Sequence, residues 1–376
     1  MPPTTSDPAG GEPGPSRSGG GGADEPIATA ADAIAVIAAP VRDRIAGILE
    51  AEQDRWSAVD ADLAQPLASI ARFVLHGGKR LRPAFCYWGF RAAGGRPDDP
   101  AIVDLGAAFE FLHAFALMHD DVMDGSATRR GLATIHTEFA GLHREHGWRG
   151  EPRRFGEGVA ILAGDLSAVF ADRLVSTAPN AARQLWHELE VEIDVGQYLD
   201  LLGTARGGTD LRVARRIARY KSGKYTIERP LHIGAAVAGR FTELEGDLSA
   251  YGAPLGEAFQ LRDDLLGAFG DAERTGKPVG DDLREGKPTP LLAVAAERCT
   301  GADAALLARV GATDLGDEEV RKLQALIEAC GARDEIELQI ATLTAEALDA
   351  LRRSPIEGTP REALALLADF VSSRDA

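Results

Sequence analysis

Two acidic clusters, Asp120-Asp121-Val122-Met123-Asp124 and Asp263-Asp264-Leu265-Leu266-Gly267, carry the residue types and spacing that could do chemistry. Each closes a long apolar run that reads as a helix, so its carboxylates gather at the negative end of the helix dipole. Like charges crowded there are costly unless a cation joins them. Oxygen-only donors suit Mg²⁺, which takes few protein carboxylates and keeps positions for water and phosphate oxygens. Asp120 and Asp124, four apart, share one helix face, while Asp121 points partly aside. The second cluster has Gly267 at its fifth position and so offers fewer ligands, with Asp263 as the direct one. One such turn alone is more often merely solvated. Two of them, in a chain that also carries isolated basic loops, are harder to dismiss.

Those basic loops are Gly77-Gly78-Lys79-Arg80-Leu81-Arg82-Pro83, Arg129-Arg130-Gly131, Lys221-Ser222-Gly223-Lys224, Thr275-Gly276-Lys277-Pro278 and Glu285-Gly286-Lys287-Pro288. Glycine lets backbone approach an anion, lysine adds a point charge and arginine a bidentate fork. Each alone could be a surface loop. Together with the acidic clusters they describe a diphosphate held by metal on one side and by cations on the other.

The elements that must position these groups are helical. The first acidic run starts at Asp99-Pro100, an N-cap followed by proline at the first helical position, and passes Ile102, Leu105, Phe109, Leu112 and Phe115 to a stop at Gly125. The second runs from near Pro254 to Gly267 and Gly270, with Asp263 and Asp264 on its final turn. Ile34, Ile37, Val41, Ile45 and Leu49 repeat at helical spacing, as do Trp56, Leu63, Leu67, Ile70 and Val74. Further runs fall at 159–177, 181–203, 211–221, 226–239 and 242–250, and others follow to the end of the chain. No period-two alternation and no Asn-Gly hairpin signal occurs. The stretch 141–158, rich in Arg, His, Gly and Pro, reads as a long loop of the kind that forms a lid or rim. Residues 1–25 are Gly, Pro, Ser and acid, too polar to order, and read as a disordered tail. Residues 26–376 read as one all-α domain, a helical bundle with a central cavity.

The 376 residues are 45% apolar and carry a net charge of −17, which argues against non-specific nucleic-acid binding. Cys86, Cys299 and Cys330 sit in apolar helical contexts without CxxC spacing, as reduced core cysteines of a cytoplasmic protein do. Neither a signal peptide nor an apolar run of about 18 residues is apparent, which predicts a soluble chain with no membrane span.

The blocks FEFLHAFALMHDDVMDGSATRRG, GGKRLRP, KSGKYT and FQLRDDLLGAFGDAERTGKPVGDDLREGK resemble, in order, the signature blocks of trans-isoprenyl diphosphate synthases, or polyprenyl synthetases. The second acidic block is similar to actinobacterial members, geranylgeranyl diphosphate synthases among them. The resemblance implies an isoprenoid-synthase helical bundle, a homodimer, and head-to-tail condensation of isopentenyl diphosphate with an allylic diphosphate (dimethylallyl, geranyl or farnesyl). Three Mg²⁺ ions assist ionisation, and the proton is lost to released pyrophosphate. By resemblance Asp120 and Asp124, with Asp121 beside them, and Asp263 take the metal, and Asp264 lies in an outer shell. Lys79, Arg82, His113 and Arg130 match the isopentenyl diphosphate site. Arg129, Lys221, Ser222, Gln260, Lys277 and Lys287 match the allylic site, with Lys221 also steadying the carbocation. Gln197 and Asp200 resemble a mid-pocket pair.

Chain length turns on Phe115 and Ala116. Ala116 lies almost directly beneath Asp120 and is too small to block a growing product. Phe115 lies about 140° away on an ideal wheel, so geometry alone leaves its role open. An aromatic there, with no insertion in DDxxD, resembles synthases that stop at twenty carbons. Geranylgeranyl diphosphate is therefore the expected product, ahead of farnesyl and then longer diphosphates. A class I terpene cyclase would share DDxxD but needs no second diphosphate site and would carry an NSE-type second motif. A non-catalytic partner subunit would have lost an acidic motif or the isopentenyl site.

Overall fold

The computed structural model describes residues 27–207, 210–270 and 280–374. The expected tail at 1–25 and Lys277 lie outside the described residues. Helix dominates the rest, as the periodicity predicts. Helix α1 (Ala30–Ser57) opens on a capping box between Thr29 and Asp32 and buries Ala33, Ile37, Val41, Ile45 and Leu49. After α2 (Ala64–Leu75) and α3 (Leu81–Ala92) comes α4 (Pro100–Asp124). Asp99 accepts from the Ala101 N–H at its start, and Gly125 closes it in the left-handed region at φ 68°. Both ends fall where the sequence puts them. By length and composition α4 is apolar enough to cross a membrane, with a mean hydropathy of 1.6, contrary to the expected lack of such a run. Most of that stretch is buried inside the protein, where α4 packs on α1, α3 and α6 as a core helix.

Helices α5 (Ile135–Glu145) and α6 (Pro152–Val175) replace most of the long loop expected at 141–158. The glycines there read as breakers, but one of them serves close packing. A Cβ at Gly156 would stand 2.0 Å from the His136 carbonyl, so its absence is what lets α6 lie on α5. No residue of 141–158 lines the functional cleft described below, so the lid reading is not carried through.

Helix α7 (Asn180–Arg206) is followed by α8 (Leu211–Ala218), then by a π-helical segment, Arg219–Glu228, and α9 (Arg229–Val237). The sequence placed a break at Lys221-Ser222-Gly223; the chain instead stays helical and widens. Glu192 of α7 holds the segment through Lys224 and through Arg229, whose guanidinium donates to it at 2.8 and 2.7 Å. Helix α10 (Phe241–Phe269) lies alongside. A Cβ on Gly223 would sit 2.9 Å from the Gly256 carbonyl oxygen, and one on Gly256 2.7 Å from that of Gly223, so the two backbones touch.

Helix α10 joins what the sequence divided into 242–250 and 254–269. Pro254 removes one N–H, but Leu248 and Tyr251 before it and Leu255 and Phe259 after it are buried in one cluster, and that burial carries the helix through. The helix therefore runs to Phe269, which places Asp263 and Asp264 more than a turn before its end. Its later half, through Leu261, Leu265 and Ala268, belongs to a second cluster shared with the helices Pro290–Arg298, Asp317–Ala329 and Ala332–Arg353.

Arg80, in the basic loop before α3, is structural. It sits in the left-handed region at φ 51°, pairs with the buried Glu110 of α4 and donates to the Val74 carbonyl at 2.7 Å. Arg80→Ala would strand that carboxylate, and removing one partner of a buried pair costs roughly 3 kcal/mol or more. A clearly lower urea midpoint is expected; an unchanged midpoint would show that water reaches Glu110.

Candidate active site

One cleft of about 670 Å³ takes in both acidic clusters. Asp120 enters it from α4, Asp263, Asp264 and Gln260 from α10, and Lys221 and Ser222 from the π-helical segment. Lys79, Arg82, His113, Arg129, Arg130, Asp200 and Lys287 also line it. Of the expected site residues, Asp121, Asp124, Gln197, Phe115 and Ala116 are not among its lining.

Asp120 is the hub. Lys221 Nζ stands 3.0 Å from its Oδ1 and 2.6 Å from Asp200 Oδ2, and the Gln197 amide donates to the same Oδ1 at 3.1 Å. Burial pushes the Asp120 carboxyl up, but Lys221, Lys287 and Arg129 outweigh it and hold the group well below the usual carboxylate range. The counterpart holds at Lys221, where burial works against the charge while Asp120 and Asp200 raise the ammonium above the ordinary lysine value. Asp121 turns toward Arg129, whose Nε donates to it at 2.7 Å. Asp124, one turn on, meets Lys287 Nζ at 3.1 Å, and Glu285 lies 2.5 Å from the same ammonium.

On α10 the two carboxylates differ. Asp264 is buried, accepts from the Gln260 amide at 2.8 Å, and is pushed well above the usual range chiefly by burial. Asp263 is the more exposed and carries the Arg374 guanidinium. Gly267, the departure at the fifth position, makes room: a Cβ there would stand 1.9 Å from an Asp282 carboxylate oxygen. A carboxylate from another element thus fills the place that the sequence shows as empty.

The cations form a second group. Arg82 lies 4.1 Å over the Tyr225 ring and donates to the Thr226 hydroxyl at 3.0 Å. Tyr225 hydrogen-bonds His113 Nδ1, and His113, half-buried on the cleft wall, is held neutral first by desolvation and then by Arg82, Arg130 and Arg129. Arg129 and Arg130 stand on a two-strand hairpin, β1 (Thr128–Arg129) and β2 (Leu132–Ala133), which the sequence did not announce. Its turn residues Arg130 and Gly131 both have positive φ, 52° and 74°, the backbone of a tight hairpin. Arg130 is braced there by the His76 carbonyl at 3.0 Å, and its guanidinium lies against Gly77 and Gly78.

Phe115 stands edge-on to His119 at 4.7 Å between ring centres, packed with Ala116 against the main core. Arg374, Tyr225, Glu285 and Asp282 are site residues that the sequence reading missed. Asp282 and Glu285 lie inside the quoted second acidic block and Tyr225 inside KSGKYT, whereas Arg374 lies outside every quoted block.

Among the described residues, no three His, Cys, Asp or Glu side chains converge tightly enough to hold an ion alone. Each expected ligand instead carries a cation of the chain: Lys221 on Asp120, Lys287 on Asp124, Arg374 on Asp263. The donors are nevertheless all oxygen, and Asp264 Oδ2 is a buried oxygen with no hydrogen-bond partner among the described residues. That donor chemistry fits a hard divalent ion whose remaining positions go to phosphate and water.

An all-α bundle with two acidic helices and a ring of cations on one cleft defines an enzyme built to handle diphosphate esters. A family model described as polyprenyl synthetase matches residues 64–329. The crystal structure of a geranylgeranyl pyrophosphate synthase from Corynebacterium glutamicum, complexed with isoprenyl diphosphate and magnesium, is similar at 37% identity and a TM-score of 0.84, over 89% of this chain and 97% of that one. A geranylfarnesyl diphosphate synthase from Aeropyrum pernix is 32% identical over 79% of this chain and 91% of its own length. A nonaprenyl diphosphate synthase from Mycobacterium tuberculosis is 31% identical over 90% and 95%. The chain belongs to the polyprenyl synthetase family, the trans-isoprenyl diphosphate synthases, and is a prenyltransferase of isoprenoid biosynthesis. The family joins isopentenyl and allylic diphosphates.

Proposed function

We propose that this protein condenses isopentenyl diphosphate head-to-tail with an allylic diphosphate and stops at geranylgeranyl diphosphate. The observation that carries the condensation is the single cleft lined by Asp120, Asp263 and both groups of cations. Two diphosphates need two cationic cradles, and a terpene cyclase needs only one. Both acidic clusters are intact as well, which a non-catalytic subunit would not require.

In this reading Asp120, Asp124 and Asp263 hold the metal, up to three Mg²⁺ ions, which when bound supply Lewis-acid charge to the departing diphosphate. Among the described residues no three carboxylates converge on one point, which supports ions that arrive with phosphate oxygens completing their shell. Lys221, beside Asp120, grips the allylic diphosphate and stays charged because Asp120 and Asp200 flank it. Ser222, Gln260, Lys287 and Arg129 complete that end. Lys79, Arg82, Arg130 and neutral His113 form the isopentenyl end, where the stack on Tyr225 fixes the Arg82 fork and its buried Nε has no hydrogen-bond partner among the described residues.

The twenty-carbon product rests on Phe115, on the uninterrupted DDxxD and on the likeness to the Corynebacterium enzyme. Incubating the protein with isopentenyl diphosphate and each allylic primer, then weighing the products, tests it; a farnesyl or longer end product overturns the length. Phe115→Ala is expected to lengthen the product by at least one five-carbon unit. A folded, active variant with unchanged products removes Phe115 as the stopper.

A homodimer belongs to the same reading. Exposed apolar stripes on α6 (Leu162, Leu166, Val169) and α7 (Val191, Val195, Tyr198) support it. A cytoplasmic location is supported by three free cysteines.

A further inference from the structure

Arg374 follows the helix Thr359–Ser373 and belongs to none of the basic loops. Its side chain is 8% exposed, yet it lines the diphosphate cleft. The guanidinium lies 4.1 Å over the Phe259 ring, donates to the Phe259 carbonyl at 3.3 Å, and pairs with the Asp263 carboxylate. Its Nε is buried without a hydrogen-bond partner among the described residues. Nearby, Lys79 Nζ sits 5.6 Å over the Phe370 ring, so the last helix brings an aromatic and a cation to the wall that already holds Lys79.

We propose that Arg374 is a stand-in cation at Asp263: it occupies this carboxylate in the metal-free protein and is exchanged for the divalent ion, and so sets the metal affinity of the second acidic cluster. The inference rests on the reading of Asp263 as a metal ligand. An ion entering there must break the guanidinium–carboxylate pair and meets a like charge. The apparent affinity is therefore the intrinsic one reduced by the fraction of molecules in which Asp263 is free. The ring of Phe259 and its carbonyl hold the guanidinium independently of Asp263, so the displaced side chain keeps a seat in the cleft. Lys221 and Lys287 stand in the same relation to Asp120 and Asp124, but both also pair with a second carboxylate, Asp200 and Glu285. No second acidic partner is recorded for Arg374 among the described residues.

The test is Mn²⁺ binding to the full chain, read from the electron paramagnetic resonance signal of the free ion, for wild type, Arg374→Gln, Asp263→Asn and the double variant. Arg374→Gln is expected to tighten binding about tenfold, and the double variant to show no gain over Asp263→Asn. Arg374→Lys, which keeps the charge, is expected to stay near wild type and guards against a general effect of substitution. Unchanged or undetectable binding in Arg374→Gln, where Asp263→Asn still weakens it, overturns the stand-in and leaves the ligand reading intact. A gain that persists in the double variant, or equals that of Arg374→Lys, overturns it too. Binding indifferent to Asp263 in both backgrounds removes the ligand reading and this inference with it.

Discussion

Asp120→Ala is expected to cut turnover on the order of a thousandfold or more while the helical signal in circular dichroism stays as it was. The carboxylate is the point where α4, α7 and the π-helical segment meet, through Gln197 and Lys221. Burial opposes its charge, but Lys221, Lys287 and Arg129 keep it ionised far into acid. A depressed folded-state pKa contributes stability that is present above the ordinary carboxylate value and lost only as pH falls through the folded one. The substitution thus removes a permanent anion rather than a titrating switch. Lys221 still has Asp200 at 2.6 Å, so the fold keeps its counter-charge. Asp124→Ala should follow closely, and Asp264→Ala should be milder than Asp263→Ala because Asp264 is pushed toward its neutral form by burial. Equal and small losses at all four positions would reduce both clusters to structural turns.

Lys221→Ala should cost about a hundredfold to a thousandfold in kcat/KM for the allylic substrate, the scale for deleting one preorganised charge at a developing anion. It also leaves Asp200, 6% exposed, without its cation, so a lower melting temperature should accompany the loss. Arg82→Ala is the contrast. Its guanidinium is held by Tyr225 and Thr226, and on the proposed assignment its loss should raise KM for isopentenyl diphosphate first. Steady-state kinetics with each substrate varied in turn separates the two. Both variants weakening the same substrate would collapse the two cradles into one.

What was legible in the sequence was local. Asp99, Pro100 and Gly125 bound α4 because cap chemistry is decided within a few residues. The acidic clusters and most of the basic loops could be picked out by residue type on or beside helical runs, and the fold brings them to one cleft. Long-range packing was not legible. Pro254 reads as a helix start until the buried residues on both sides of it are seen to share one core. Gly156 reads as a breaker until α5 is laid against it. Arg130-Gly131 lacks the Asn-Gly signature of a hairpin, and its left-handed residue is held by the distant His76 carbonyl. Arg374 meets Asp263 across 111 positions, a pairing no local pattern encodes. Gly267 was read as a missing ligand, where the fold has lent the space to Asp282.

The contact between Gly223 and Gly256 bears on how such an enzyme can change over generations. Main chain rests on main chain there, so the offset between Lys221 and the acidic cluster of α10 is fixed by peptide geometry, which substitution at neighbouring side chains hardly alters. In the function proposed above, product length is set instead by an interchangeable side chain, Phe115 of α4, which packs on the main core. On that reading, mutation at such a position would lengthen or shorten a product without disturbing the groups that start the reaction. The part open to evolutionary tinkering and the part closed to it are separated within one packed body.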